Sequence, residues 1–349
     1  MSKSTFRAAV VRTPGGPGSI EIVEVPLAEP GPGEVRVEIA AAPVNPVDLA
    51  VADGVFHGMG LIDQPERTGL GWDFAGTVVA AGPGVDVQVG DRVAGLVAGF
   101  DRDFGTYAEQ LVVAAADLAV VPDGLDPIPA STVPLNGLTA AQILDLLGDA
   151  PSDGNRLLVT GVAGAVGGYV AALAPGRGWQ VTGLARAEDE QFVRGLGAGF
   201  TTHPQPGWDA VADGAALQER GLALVRDGGT FVGVRPNAEP AAERGITVHA
   251  VALPPDRPPQ AEQHGRDIAR TTGAAGGARP TAHPAAARGT PVPAGPAPPP
   301  APRLAELLGR TASGELPARV HAVLPLDQVA DAHRAVAKGG VRGRFVLRP

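Results

Sequence analysis

Leu157–Arg186, LLVTGVAGAVGGYVAALAPGRGWQVTGLAR, reads as an apolar strand, a glycine-rich turn, a helix and a second strand that ends on an arginine. Gly161, Gly164 and Gly167 recur at every third residue. Missing side chains there let the chain turn tightly, and let the amides of Ala163, Ala165 and Val166 approach a pyrophosphate at a helix N-terminus. In a chain with 49 glycines the triplet alone is weak evidence. The Val/Leu-rich strand before it and the helical run after it make it a dinucleotide-binding unit. The second strand bears on which dinucleotide, because an acid at its end bonds a ribose 2′-hydroxyl whereas a cation suits a 2′-phosphate. The strand ends on Arg186, which favours NADPH. Glu188 and Asp189 follow and can serve a 2′-hydroxyl instead, although they read as first-turn acids of the next helix. The competing account of Arg186 is a solvated surface arginine.

Around this unit the texture of the sequence changes twice. From Phe6 to about Val121, short alternating runs cut by Gly/Pro turns (RAAVVRT, SIEIVEV, EVRVEIA, GTVVAA, DRVAGLV, YAEQLVV) predict a β-rich domain over 1–125. From Asp126 to 315 the pattern is doubly wound α/β, with a helix near Thr139–Leu147 and parallel strands at WDAVAD and GTFVGV. Residues 316–349 read strand, helix, strand, and are expected to return to the first domain. Residues 254–302 carry thirteen prolines, with Ile268 and Val292 as the only larger aliphatics. That stretch cannot build a core, and reads either as a disordered surface excursion or as a segment that the natural reading frame does not encode.

Composition narrows the function. The 349 residues are 44% hydrophobic and carry a net charge of −9 with no compensating basic block, which argues against nucleic acid. Lacking any long apolar run, the sequence reads as soluble and cytoplasmic. With no cysteine there is no thiol nucleophile, disulfide or thiolate-bound metal, and the seven histidines show no ligand spacing, so no metal site is expected.

The stretch GWDFAGTVVAAGPGVDVQVGDRVAGL (Gly71–Leu96) resembles the signature of quinone oxidoreductases, zinc-independent medium-chain dehydrogenases/reductases. The likeness continues through VNPVDLAVADG, FGTYAEQLVV, VPLNGLTAAQ, VTGVAGAVGG and GRFVL. It implies a GroES-like catalytic domain, a Rossmann domain inserted before the last strands, an active site in the cleft between them, and a homodimer. Zinc-dependent relatives carry a cysteine near the Asn45 position and a GHE where this chain has Gly71-Trp72-Asp73. Without those ligands, hydride delivery to a quinone or conjugated carbonyl is the chemistry that remains, since hydrogen bonds suffice for the charge that develops.

The resemblance places Asn45 and Asp48 against the nicotinamide and the acceptor, with Asn45 bonding the acceptor oxygen and Asp48 ordering the site. The same NPxD tetrapeptide also reads as a plain turn or helix start. Thr139 resembles a threonine near the nicotinamide, or is an ordinary helix residue. Gly233 and Val234 end a parallel strand where backbone groups can hold the carboxamide. Phe56 and Trp72 are expected to line the acceptor pocket, or to pack in the core. Where several relatives carry a tyrosine, this chain has Phe56, and Ala50 stands at another such position. Tyr107 and Tyr169 are the only phenols. Water is then the proton source, which favours quinones over enoyl thioesters. Two other readings stay open: reduction of α,β-unsaturated carbonyls or thioesters, and an NADPH-binding redox sensor with little turnover.

Overall fold

The computed structural model describes residues 4–64, 66–251 and 300–349. The strand Arg156–Thr160 is buried from Leu157 onward, as a strand covered on both faces must be. It forms the centre of a six-stranded parallel sheet in the order Gly199–Thr201, Gln180–Leu184, Arg156–Thr160, Trp208–Asp213, Val225–Gly233, Thr247–Ala250. In sequence order that is 3-2-1-4-5-6, the doubly wound Rossmann arrangement, in which ligands bind where the strand order reverses. The reversal lies between Arg156–Thr160 and Trp208–Asp213, at the end of the strand that leads into the glycine turn.

The earlier strands build the second layer system. A seven-stranded sheet runs Val320–Pro325, Arg344–Arg348, Glu34–Pro43, Asp73–Ala81, Arg92–Leu96, Leu118–Val120, with Gln110–Ala114 also paired to Glu34–Pro43. Ile20–Pro26, Thr5–Val11 and Thr68–Gly69 form a small sheet beside it. This is the GroES-like part. After the Rossmann sheet, Arg344–Arg348 lies antiparallel to Glu34–Pro43, with Val346 opposite Pro43.

Two expectations shift. The helix expected near Thr139 starts at Pro134 and runs to Leu147, because a proline in the first turn gives up no intrahelical bond. The patternless stretch lies outside the described residues except for 300–302, which open the helix Pro300–Ala312. Leu304, Leu307, Leu308 and Thr311 bury one face of it at helical spacing, so the pattern resumes at 300 rather than after 302.

Candidate active site

The glycine turn demands glycine at Gly161 and Gly167. Gly161 has φ +61°, a conformation that side chains resist, and its carbonyl accepts the Gly164 amide at 2.8 Å. A methyl group on Gly167 would lie 2.4 Å from the Gly161 oxygen and 2.8 Å from its carbonyl carbon. The helix Ala165–Leu173 can therefore press against the turn only with glycine at that position. The amides of Ala165, Val166 and Gly167 stand in its first turn, where no helix carbonyl accepts from them. These groups fit a dinucleotide pyrophosphate. Behind the turn, the Thr160 hydroxyl donates to Asp213 at 2.5 Å and accepts from the Ala215 amide, fixing the loop that faces Gly161.

At the end of the second strand Arg186 is exposed and makes no ion pair among the described residues. Glu188 and Asp189 are already taken. Arg342, from the returning segment, holds Glu188 at 3.1 Å and pairs with the buried Asp189. Both acids lie in or beside the short turn Ala187–Asp189 that precedes the helix Glu190–Gly195, close to the first-turn reading. A second cation from the returning segment, Arg319, stacks 3.8 Å over the Phe192 ring and donates to the Ala163 carbonyl at 2.7 Å.

A second polar cluster centres on Asn45 and Asp48. Pro46–Ala52 forms a helix, with Pro46 at its first position and Asp48 accepting the Asn45 backbone amide at 2.8 Å. The structural reading of NPxD thus holds for the backbone. The Asn45 side chain, only 1% exposed, does something else. Its oxygen accepts from Asn136 at 3.1 Å and its amide donates to Asp73 at 2.8 Å, so its orientation is fixed from both ends and one N–H is left over. Arg344 donates in turn to the Asn136 oxygen at 2.5 Å, and the Leu135 amide donates to Asp73 at 2.6 Å. This chain of bonds runs from the returning strand through the Pro134–Leu147 helix to the Gly71–Leu96 stretch. Sequence reading named Asn45 but missed Asp73, Asn136 and Arg344; only their presence inside the quoted motifs marked them.

Burial governs the electrostatics. Desolvation pushes Asp73 up to about 7, against the hydrogen bonds from Leu135 and Asn45. Asp48 rises to about 6 for the same reason, held back by the Asn45 amide, the Tyr107 hydroxyl and the Arg102 charge. Arg102 is itself lowered to about 10 by burial; it donates to the Gly71 carbonyl at 2.6 Å and lies 5.3 Å over Trp72. Burial raises Tyr107 well above the ordinary phenol value and brings Tyr169 to about 12. The Tyr107 hydroxyl donates to the Pro43 carbonyl at 3.4 Å beside Asp48, and Tyr169 neighbours Thr132. Both phenols hold their protons near neutral pH.

The remaining expected residues are scattered around this centre. Phe56 is half-buried and stacks 3.9 Å from Phe100, which meets Trp72 at 5.2 Å. Trp72 is 1% exposed and backs this aromatic wall from the core. Thr139 is half-buried in mid-helix. Gly233 closes its strand with its carbonyl on the Val251 amide, and half-buried Val234 follows. Among the described residues no group of three His, Cys, Asp or Glu side chains converges as metal ligands. Where zinc-dependent relatives carry the cysteine and the GHE histidine, this chain has Asn45 and Trp72, neither of which offers a thiolate or imidazole, and Asn45 is hydrogen-bonded to Asp73, so the residues present do not fit zinc. No described helix is long and apolar enough to cross a membrane.

Residues 31–123 match the alcohol dehydrogenase GroES-like domain, and residues 197–347 match the family described as zinc-binding dehydrogenase. The chain is 32% identical over 263 residues to the pikromycin polyketide synthase component PikAII of Streptomyces venezuelae, covering 68% of this chain and 7% of that protein. It is 35% identical over 186 residues to a quinone oxidoreductase of Pseudomonas aeruginosa, covering 53% of this chain and 54% of the relative. The chain thus spans about half the length of that relative and a small part of the synthase. Among solved structures, the quinone oxidoreductase from Coxiella burnetii superposes with a TM-score of 0.75 over 99% of both chains at 21% identity, a likeness of fold.

Proposed function

The chain belongs to the quinone oxidoreductase-like medium-chain dehydrogenases/reductases, oxidoreductases that use a nicotinamide cofactor, and from that premise we propose that it reduces quinones with NADPH. One observation carries the cofactor choice. Arg342 occupies both acids that would favour a ribose 2′-hydroxyl, while Arg186 keeps a guanidinium without an ion pair among the described residues. Arg186 then takes the 2′-phosphate, and the Gly161–Gly167 turn takes the pyrophosphate through the amides of Ala163, Ala165 and Val166. Thr139 and the backbone of Gly233 and Val234 flank the nicotinamide, which supplies hydride when bound.

On the acceptor side, Asn45 donates its remaining N–H to the quinone oxygen as charge develops there. The bonds from Asn136 and to Asp73 hold that N–H in place before the acceptor arrives, so little reorganisation is needed. Asp48 ties the Asn45 amide to that of Gly71 and so orders the two loops. Phe56 and Trp72 with Phe100 form an aromatic wall for a planar acceptor. Since both phenols are buried and hold their protons, water protonates the product. That suits a hydroquinone better than a carbon acid, and supports quinones over enones and enoyl thioesters. In this reading the protein is a homodimer in the cytoplasm, which light scattering and cell fractionation test.

The deciding experiment follows oxidation of NADPH or NADH with 1,4-benzoquinone, a simple enone or an enoyl thioester. Turnover with the quinone and preference for NADPH are expected. A saturated C–C product from the enone or thioester at higher kcat/KM would replace the acceptor assignment. NADPH that binds but is oxidised by no acceptor would point to a redox sensor.

A further inference from the structure

Arg319 has no role in the reading above, yet it is the side chain of the returning segment that touches the glycine turn. One of its five N–H donors reaches the Ala163 carbonyl at 2.7 Å, between Gly161 and Gly164. Its guanidinium is flattened against Phe192 at 3.8 Å, which fixes the plane of the group beside the first turn of the Ala165–Leu173 helix. It forms no ion pair among the described residues; the nearby acid, Asp189, is already held by Arg342. Partial burial lowers its pKa, the charge of Asp189 works against that, and the neighbouring Arg342 charge lowers it again. Two cations, one of them part-desolvated, share the single buried acid Asp189, so the pair gains from a further anion. The turn it touches is the place where a pyrophosphate fits.

We infer that Arg319 is a ligand of the cofactor pyrophosphate, presented from across the cleft by the segment that returns to the seven-stranded sheet. The inference rests on the dinucleotide reading of the glycine turn and adds a division of labour. Arg186 reads the 2′-phosphate, Arg342 silences the competing acids, and Arg319 closes the cleft on the phosphates common to NADPH and NADH. Cofactor binding would thereby draw the two sheet systems together.

Calorimetric titration of the full chain separates these roles with three probes: NADPH, ADP (a pyrophosphate without a 2′-phosphate) and adenosine 2′-monophosphate. Arg319→Gln keeps a hydrogen bond for Ala163 and removes the charge. It should weaken NADPH and ADP by about tenfold or more and leave adenosine 2′-monophosphate unchanged. Arg319→Lys, which restores charge, should recover part of the ADP affinity, and an unchanged circular dichroism spectrum checks that both variants fold. Arg186→Gln should show the converse pattern, losing NADPH and adenosine 2′-monophosphate but not ADP. ADP binding within twofold of the parent in Arg319→Gln overturns the inference, as does equal weakness of the lysine variant. Loss of adenosine 2′-monophosphate in Arg319→Gln would reassign the residue to the 2′-phosphate. A parent chain that binds neither NADPH nor ADP removes the dinucleotide reading itself, an outcome distinct from these.

Discussion

The substitution His333→Leu tests how burial tunes this protein's response to acid. The helix Val329–Lys338 buries His333 completely, its ring edge-on to Tyr107 at 5.9 Å. Neither ring nitrogen is hydrogen-bonded to a described residue. Burial holds the ring down at about 4, against an ordinary 6.5. Above pH 7 the ring is neutral in both folded and unfolded chains, and it adds no pH dependence. As pH falls below 6.5, the unfolded chain takes up a proton that the folded one refuses, so stability is lost until about 4 is reached. At about 1.36 kcal/mol per unit the full loss is about 3 kcal/mol, of which about 2 kcal/mol has accrued by about pH 5. Leucine has a similar volume, does not titrate and leaves no buried nitrogen unsatisfied, so the variant should be at least as stable near neutrality. Urea unfolding of both proteins from neutral pH to about pH 5 measures the gap between them. Asp48 and Asp73 run the opposite way: their raised values contribute stability at low pH that is lost as pH rises through about 6 and about 7. They are present in both proteins and drop out of the difference. The gap should widen by about 2 kcal/mol in favour of the variant. A gap that does not change with pH would refute the reasoning.

Three further predictions address the site. Asn45→Ala removes the donor to the acceptor oxygen and should lower kcat with 1,4-benzoquinone about a hundredfold while NADPH affinity stays the same; an unchanged kcat would strip Asn45 of its role. Gly167→Ala drives a methyl group against the Gly161 backbone and should cost about 1–3 kcal/mol of stability. In the folded fraction it should also weaken NADPH at least about tenfold, as read by nucleotide fluorescence; normal binding would mean that the turn does not carry the cofactor. Arg342→Leu releases Glu188 and Asp189, and the ratio of NADH to NADPH affinity should rise about tenfold. If competitive titration shows that ratio unmoved, the acids do not face the ribose.

Local features were readable in the sequence, and contacts between distant segments were not. Gly161, Gly164 and Gly167 announce themselves because strand, turn and helix are contiguous and each has its own period. Arg186 was readable for the same reason, at the end of a strand of known order. Asp73, Asn136 and Arg344 are joined by side-chain hydrogen bonds across as many as 208 residues, and nothing in the residue types says that these polar groups meet. Arg319 and Arg342 look like solvated arginines in a segment rich in them, and only the fold brings them to Ala163 and to Glu188 and Asp189. Thr139 was legible as helical, but the helix start was not, because Pro134 reads as a breaker until its first-turn position is known. At 300–302 the prolines masked a helix whose apolar face begins only at Leu304.

The return of the chain also bears on how the protein acquires its shape. All six strands of the Rossmann sheet lie between residues 156 and 250, so that sheet can close from one continuous stretch. The seven-stranded sheet joins Glu34–Pro43 to Arg344–Arg348 across about three hundred residues, and closing so long a loop is slow. During synthesis the edge of Glu34–Pro43 that receives Val346 and Leu347 stays open until well after the second sheet is made. For that interval the first part of the chain has an incomplete sheet with an unpaired strand edge, the kind of species that aggregates. The Asn45 centre, which depends on Arg344 from that late strand, is therefore among the last parts of the molecule to form.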